Sequence, residues 1–387
     1  MMALLPPALL HEATRIALGD FAADASLAGM KIFHCDHCQH LIFFENVRCV
    51  ACGHALAYLP DLEDMGSLEA AGFGHWRCPA PIAAGRSYRL CANYEHENVC
   101  NWAVPADDPQ ALCVSCRLTQ VIPDLTQPGN RAAWYRLEIA KRRLVFSLLR
   151  LGLPLGRLSA AGHDLSFRFL ADDPASGVPP VLTGHDDGVI TINLAEADDA
   201  EREKRRLAMS EPYRTLLGHF RHEIGHYYWD LLIADGPHLT GFRDRFGDER
   251  RDYGEALAVH YAAGAAPDWR ERFVSTYAGS HPWEDWAETW AHYLHLIDVL
   301  ETASACGMSL RPPRADEPAL TVDRALAAGR IGSFERLIER WFPLTYALNC
   351  LNRSLGQADA YPFVLAPPVI AKLRLVHEVI AAAAARA

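Results

Sequence analysis

The sequence predicts an α+β protein in which a small cysteine-rich β region precedes a mostly α-helical domain with a short β-sheet. Three observations predict this fold. Nine of the 11 cysteines lie between Cys35 and Cys116, in a region of short strand-like segments and turns. An apolar β-like run at 189–194 follows the turn signal Asp-Asp-Gly. From Ser210 onward, apolar residues recur at helical spacing.

The predicted helices occupy most of the second half of the chain. One earlier helix is expected at 131–151, where apolar residues recur near one face and basic residues are interpreted as a solvated face. The later helical segments are 211–233, 249–264, 283–301, 332–350 and 367–384.

Changes in composition divide the chain into three parts. Residues 1–29 are rich in Ala and Leu, and we interpret them as an N-terminal extension, either an appended helix or an over-extended gene start before Met30. Residues 30–122 form the cysteine-rich domain. The composition changes near Pro123, so residues 123–387 are predicted to be the second domain.

Charge and hydropathy exclude several classes of protein. The formal net charge is -11, which disfavours a protein built to bind nucleic acid. No apolar run reaches the ~18–20 residues that a membrane span needs. No basic residue precedes the apolar start, so we predict no secretory signal and a cytoplasmic location. Disulfides are rare in the cytoplasm, so the cysteines need another role.

The first four cysteines have the spacing of a metal site. Cys35 and Cys38 form one Cys-x-x-Cys pair, and Cys49 and Cys52 form a second pair ten residues later. Chance would give about 0.3 such pairs in a chain of this composition, whereas three occur. Two pairs on a small hairpin supply the four thiolates that suit structural zinc, so we predict a zinc ribbon.

A second four-cysteine site is predicted further along. Cys113 and Cys116 form the third Cys-x-x-Cys pair, and Cys91 and Cys100 are the preferred partners because both lie in turn-like sequence. Cys78 precedes a proline and would also suit a turn, so it remains an alternative to Cys91 or Cys100.

The cysteine-rich domain is acidic. It contains six basic and ten acidic residues, a net charge of -4 before the charge of two metal-thiolate centres is added. A domain that binds phosphates needs lysine and arginine. We therefore expect it to have a structural role or to bind a protein partner.

The strongest motif of the second domain is His-Glu-x-x-His. His222 and His226 are one helical turn apart and project from one face, and Glu223 lies beside them. The expected helix could be capped by Ser210 and start at Pro212, and the run at 189–194 is expected to be an edge strand that could hold a peptide. A catalytic zinc needs a third protein ligand and an open position. The sequence offers Glu284 and Glu288, one turn apart on a later helix, without deciding between them.

Together these motifs resemble those of bacterial zinc-binding metallopeptidases that carry an N-terminal zinc ribbon. The motif that contains Glu284 and Glu288 is similar to the second motif of gluzincins, including thermolysin and lethal-factor-type peptidases. The resemblance implies that Glu284 binds zinc with His222 and His226, and that Glu288 orients a ligand histidine. Lethal-factor-type sites also place a tyrosine seven residues before the ligand glutamate, and Tyr277 stands there.

The sequence thus favours a zinc-dependent peptidase with one catalytic and two structural zinc ions. Glu223 is the expected general base, and Tyr277 is a candidate donor to the developing oxyanion. The expected partners are a peptide or protein substrate and a protein bound through the ribbons, with no nucleic acid and no membrane. The alternative is a non-catalytic zinc-binding interaction module, which would not need Glu223.

Overall fold

The computed structural model describes residues 32–156, 164–173, 177, 180–208, 214–313, 321–322 and 332–386. The predicted extension at 1–29 lies outside these residues. In the described part of the chain, no helix combines the length and the apolar character needed to cross a bilayer.

The cysteine-rich region is built from small antiparallel sheets. The first is a hairpin of β1 and β2, and the second is a five-stranded meander that runs in the order β3-β4-β5-β6-β7. Tyr58 and Trp102 are fully buried between these sheets, with their ring centroids 4.5 Å apart. The strands are β1 (Phe33–His34), β2 (Leu41–Ile42), β3 (Ala55–Leu59), β4 (Asp64–Gly72), β5 (His75–Arg77), β6 (Ser87–Leu90) and β7 (Ala103–Pro105). A short helix, α1 (Ala92–Glu95), follows β6.

The second domain contains a four-stranded mixed sheet. Its strands are β8 (Thr119–Val121), β9 (Ser166–Leu170), β10 (Gly184–Asp186) and β11 (Val189–Asn193). They lie in the order β10-β11-β9-β8, with β11 parallel to β9 and antiparallel to β10. Although β8 falls inside the predicted 30–122 range, it pairs with β9. The domain boundary at 122 remains a prediction.

The expectation that 189–194 is an edge strand is wrong. Asp187 and Gly188 both have positive φ and turn the chain so that β10 pairs with β11 on its outer side. As a result β10, and not β11, is the edge strand on this side of the sheet.

Helices form most of the second domain, close to the predicted segments. They are α2 (Asn130–Arg150), α3 (Asp199–Ala208), α4 (Leu216–Leu232), α5 (Leu239–Phe246), α6 (Tyr253–Ala263), α7 (Trp269–Arg272), α8 (Pro282–Ala305), α9 (Phe334–Ser354) and α10 (Pro367–Ala384). Helix α4 starts later than expected, because Thr215 accepts a hydrogen bond from Gly218 N and caps it. Ser210 and Pro212, the expected cap and start, precede the helix and lie outside the described residues.

Helix α2 joins the two regions, so the expected solvated basic face is only partly present: Arg131, Arg136 and Arg143 are exposed, whereas the other three basic residues are buried. Phe146 packs against Phe33 and Phe44 of the ribbon region, while the opposite side of the helix packs on the sheet and on α4. Lys141 is fully buried and pairs with buried Glu138 at 2.9 Å. Arg142 is also buried, where it donates to the carbonyl of Val99. These charges are buried because α2 is covered on both sides, and each has the polar partner that burial requires.

Candidate metal and catalytic site

The candidate site forms where α4 crosses α8. Gly225 allows this close crossing, because a Cβ there would lie 3.0 Å from the Ala287 Cα and 3.1 Å from the Trp290 Cβ. Trp286 fixes the crossing by donating from Nε1 to the Gly225 carbonyl at 3.0 Å. The close approach brings the histidine face of α4 against the glutamate face of α8.

Three side chains meet at this crossing with the geometry of a metal-binding triad. The His222 Nε2 to His226 Nε2 distance is 3.2 Å, and Glu284 Oε2 lies 3.0 Å from the first of these nitrogens and 3.5 Å from the second. Tetrahedral zinc holds such ligands at ~2.0–2.2 Å, which requires about 3.3 Å between ligand atoms. The three atoms therefore have the spacing that a tetrahedral ion needs.

Glu288 supports the triad from the other side of His222. Its Oε1 lies 2.8 Å from His222 Nδ1, and Ser275 donates to its Oε2 at 2.6 Å. Burial would raise the pKa of Glu288, but the hydrogen bonds with His222 and Ser275 and the charges of His222 and His292 together outweigh it and lower the pKa to about 2. An ionised Glu288 accepts a hydrogen bond from the Nδ1–H group of His222. The proton therefore stays on Nδ1, and the Nε2 lone pair faces the centre of the triad.

The electrostatics of the triad favour a cation. Glu284 is buried, and within the described part of the chain its Oε2 has no hydrogen-bond donor, although it faces two ring nitrogens. Burial lowers the pKa of His222, but the contacts with Glu284 and Glu288 prevail and raise it well above its ordinary value. The buried carboxylate of Glu284 and the half-buried carboxylate of Glu288 thus draw positive charge to this point. The residues fit a zinc ion with an open fourth position.

Glu223 lies beside the triad on the wall of a cavity of about 420 Å³. The cavity is also lined by His222, Tyr277 and Tyr261, and Glu223 itself is buried. A small molecule or peptide group in this cavity would therefore meet the carboxylate next to the first histidine. Such an arrangement can support proton transfer at a metal site.

Two tyrosines lie close to Glu284, and the sequence analysis identified only one of them. Tyr277 lies near His222, with their ring centroids 6.0 Å apart, and its hydroxyl forms a hydrogen bond with that of Tyr253. Tyr253 in turn donates to Glu284 Oε1 at 2.6 Å. Burial, reinforced by Glu284, raises the pKa of both hydroxyls, which stay protonated at neutral pH. No motif surrounds Tyr253, so only tertiary structure could find it.

The cysteines form two separate clusters of four thiols. Cys35, Cys38, Cys49 and Cys52 form one, and Cys91, Cys100, Cys113 and Cys116 form the other. Two pairs of sulfur atoms in the first cluster are 3.6 Å apart, and Cys100 Sγ and Cys113 Sγ in the second are 3.8 Å apart. Zinc–sulfur bonds of ~2.3 Å require about 3.8 Å between sulfurs in a tetrahedron. Cys78 lies apart from both clusters, with its thiol 3.6 Å from Asp36 Oδ2.

Two histidines near the site have other partners. His292 Nδ1 lies 2.8 Å from the Tyr361 hydroxyl, and burial lowers the pKa of His292 to about 4. His219 lies on the cavity wall, with its Nδ1 3.2 Å from buried Glu196. Among the described residues, neither belongs to a group that could hold a metal ion.

The fold and these clusters define a protein with a zinc-ribbon region and a mostly helical metal-binding domain. A model of a zinc-ribbon domain matches residues 32–127, and the model described as "Putative zinc-binding metallo-peptidase" matches residues 130–379. The chain belongs to this zinc-binding metallo-peptidase family.

Mycobacterial proteins are similar to the chain over nearly its whole length. It is 44% identical over 353 residues to Uncharacterized protein Rv2568c of Mycobacterium tuberculosis and to Uncharacterized protein Mb2598c of Mycobacterium bovis. Each alignment covers 91% of this chain and 95% of the relative. No solved structure matches the chain.

Proposed function

We propose that the protein is a cytoplasmic zinc-dependent peptidase of the gluzincin type. One catalytic zinc is held by His222, His226 and Glu284, and a structural zinc is held in each cysteine cluster. The observation that carries the proposal is the set of three ligand atoms at tetrahedral spacing, with Glu223 beside them on the cavity wall. A purely structural site would have no need of that carboxylate.

The residues around the cavity would each have a separate role in peptide hydrolysis. When bound, zinc would activate a water molecule and polarise the scissile carbonyl. Glu223 takes the proton as the water attacks and passes it to the leaving amine. Glu288 holds His222 in the tautomer that keeps its Nε2 lone pair available.

Tyr277 is the proposed donor to the oxyanion that develops on the carbonyl. Its raised pKa supports this role, since a protonated hydroxyl can donate. The hydroxyl is hydrogen bonded to Tyr253, so Tyr277 would have to turn from Tyr253 to the substrate. Catalytic hydrogen bonds often form only in the complex with substrate.

Strand β10 is the proposed support for an extended substrate. It is the edge strand nearest α4, and the His185 ring centroid lies 6.2 Å from that of His226. An edge strand can pair with a peptide through main-chain hydrogen bonds, which select an extended shape rather than a sequence.

We further propose that the ribbon region binds protein, either the substrate or a separate partner. Its acidic character is unsuited to nucleic acid. Apolar side chains are nevertheless exposed on it, including Phe43, Val50 and Phe73.

Replacing Glu223 by Gln tests the proposal. The change keeps the metal ligands and removes the base, so we expect zinc content to stay the same and peptide cleavage to fall by several powers of ten. Glu335→Gln is the matched control, because Glu335 is exposed on α9 and pairs there with Arg374. The substrate is best found by comparing newly formed protein termini in cells that express the native and the Glu223→Gln proteins.

Unchanged cleavage in Glu223→Gln would remove this residue from the mechanism. If the native protein binds zinc at the triad but generates no termini that depend on Glu223, the non-catalytic interaction module becomes the better explanation.

A further inference from the structure

Helix α6 lies over the metal site but is poorly buried. Of its 11 residues, only Ala256 is buried, and Val259 and Tyr261 are about 60% exposed. Tyr261 nevertheless lines the catalytic cavity, and the ring of His260 lies 6.1 Å from that of Tyr277. A helix with so little buried surface is held weakly, so it belongs to the part of the fold that opens most easily.

A glycine at the end of α5 and another at the end of α6 allow the segment that contains α6 to move. Gly247, which ends α5, has φ of 104°, and Gly264, which ends α6, has φ of 72°. Both combine a positive φ with ψ near 180°, a backbone region that glycine alone reaches readily. The segment between them can therefore change direction at its ends without unfolding the helices on either side.

One side chain connects α6 to the metal triad. Tyr253, at the first position of α6, donates to Glu284 Oε1 at 2.6 Å, and its ring packs edge-on against His281 and Trp283 at the start of α8. The two oxygens of Glu284 thus have different surroundings. Oε1 is fixed by Tyr253, whereas Oε2 has no donor among the residues that the structure describes and faces the two histidine nitrogens.

We propose that α6 is a lid over the metal site and that Tyr253 is the positioning residue that couples this lid to Glu284. The inference rests on the proposed ligand set. With Oε1 held by the tyrosine, Glu284 presents Oε2 alone to the ion, as a four-coordinate site with one open position needs. Lifting α6 breaks this bond and uncovers the cavity beside Tyr261 and Tyr277.

The coupling works in both directions. A closed lid holds Glu284 ready for zinc, and bound zinc fixes Glu284 in the position that Tyr253 requires. By linkage, the factor by which lid closure tightens zinc binding equals the factor by which zinc favours lid closure. The factor measured from zinc affinity and the factor measured from lid closure must therefore be equal.

Tyr253→Phe removes the hydroxyl and keeps the ring between His281 and Trp283. Competition with a chelator of known affinity should show that zinc binds the triad about 10-fold to 100-fold more weakly in this variant. Hydrogen exchange of the amides of α6 should slow by a similar factor when zinc binds the native protein, and this slowing should vanish in Tyr253→Phe. Val259→Ala, on the exposed side of the same helix, should behave like the native protein in both measurements.

The lid proposal is overturned if zinc leaves the exchange of α6 unchanged in the native protein, or if Tyr253→Phe binds zinc with native affinity. Neither measurement depends on peptide cleavage. Glu284→Ala separates the two proposals, since a native zinc affinity in that variant would contradict the ligand set itself. Equal thermal stability of the metal-free native and Tyr253→Phe proteins would show that the loss of affinity is not a loss of fold.

Discussion

The cysteine clusters and the histidine–glutamate triad bring candidate metal ligands together in different ways. Each cysteine cluster draws four ligands from a short stretch, Cys35 to Cys52 or Cys91 to Cys116. The triad draws three from helices whose ligands are 62 positions apart in the chain, His222 and Glu284. The clusters are closed by four thiols, whereas the triad leaves one position open beside a cavity.

The two kinds of site differ in how much the folding of the surrounding chain depends on bound metal. The ribbon sheets are small, and their core includes the buried cysteines themselves, so zinc would supply much of their folding free energy. The triad instead lies on helices that pack through large buried aromatic side chains, including Trp286 and Trp290. Here the fold forms the site without metal, and the proposed zinc would add chemistry.

The largest expected effect is on the ribbon. Cys113→Ser should release about one zinc and unfold the surrounding ribbon, because structural zinc contributes roughly 10 kcal/mol or more in small domains. Cys35→Ser should do the same in the first cluster. Cys78→Ser is the matched control, since Cys78 is buried in the same region but lies outside both clusters. Elemental analysis gives zinc per chain, and circular dichroism reports whether the helical domain persists.

Three zinc ions per chain in both cluster variants would refute the assignment of these ligands. Loss of all zinc together with the helical signal in Cys113→Ser would contradict the view that the helical domain folds without metal, because the triad would then depend on the ribbon for its fold.

A smaller effect is expected when the triad itself is changed. Glu284→Ala removes a ligand from a three-ligand site, so the inner zinc should be lost at micromolar free metal. Glu288→Ala removes the acceptor of His222 Nδ1 and should weaken zinc binding by ~10–100-fold. Glu288→Gln keeps an oxygen that can accept this hydrogen bond and should fall between Glu288→Ala and the native protein.

Competition with a chelator gives all three zinc affinities. The reverse order for Glu284→Ala and Glu288→Ala would transfer the ligand role to Glu288, which the sequence alone leaves open.

The parts that the sequence could predict are those in which local spacing determines geometry. The Cys-x-x-Cys pairs bring their own ligands together, and the turn between His222 and His226 is a property of any helix. The buried charges of α2 and the edge position of β10 depend on what packs against each element, so local pattern could not reveal them. Tyr253 was missed for the same reason, because it reaches Glu284 from a separate and exposed helix.

The smallest expected effect concerns an ion-pair cluster that supports α4 without metal. Glu196 is buried, and its carboxylate accepts from Arg205 at 2.7 Å and from Arg214 at 3.1 Å, with His219 also in contact. Burial would raise the pKa of Glu196, but the interactions with His219 and the two arginines prevail and lower it to about 2. The folded state therefore prefers the ionised carboxylate, whose ordinary pKa is 4.5.

Because the folded pKa is depressed, Glu196 contributes stability above about pH 4.5, and that contribution is lost as the pH falls towards about 2. In protein stripped of metal by a chelator, Glu196→Gln should be less stable than the native chain by roughly 1–2 kcal/mol at pH 7, allowing for solvent screening. The difference should narrow at pH 3. Urea unfolding followed by helical circular dichroism measures this difference in the free energy of unfolding. The chelator keeps the ribbon metal-free at both pH values. A difference that stays constant between pH 7 and pH 3 would mean that the charge of Glu196 does not support α4, and that the helical domain owes its metal-independent stability to its apolar core alone.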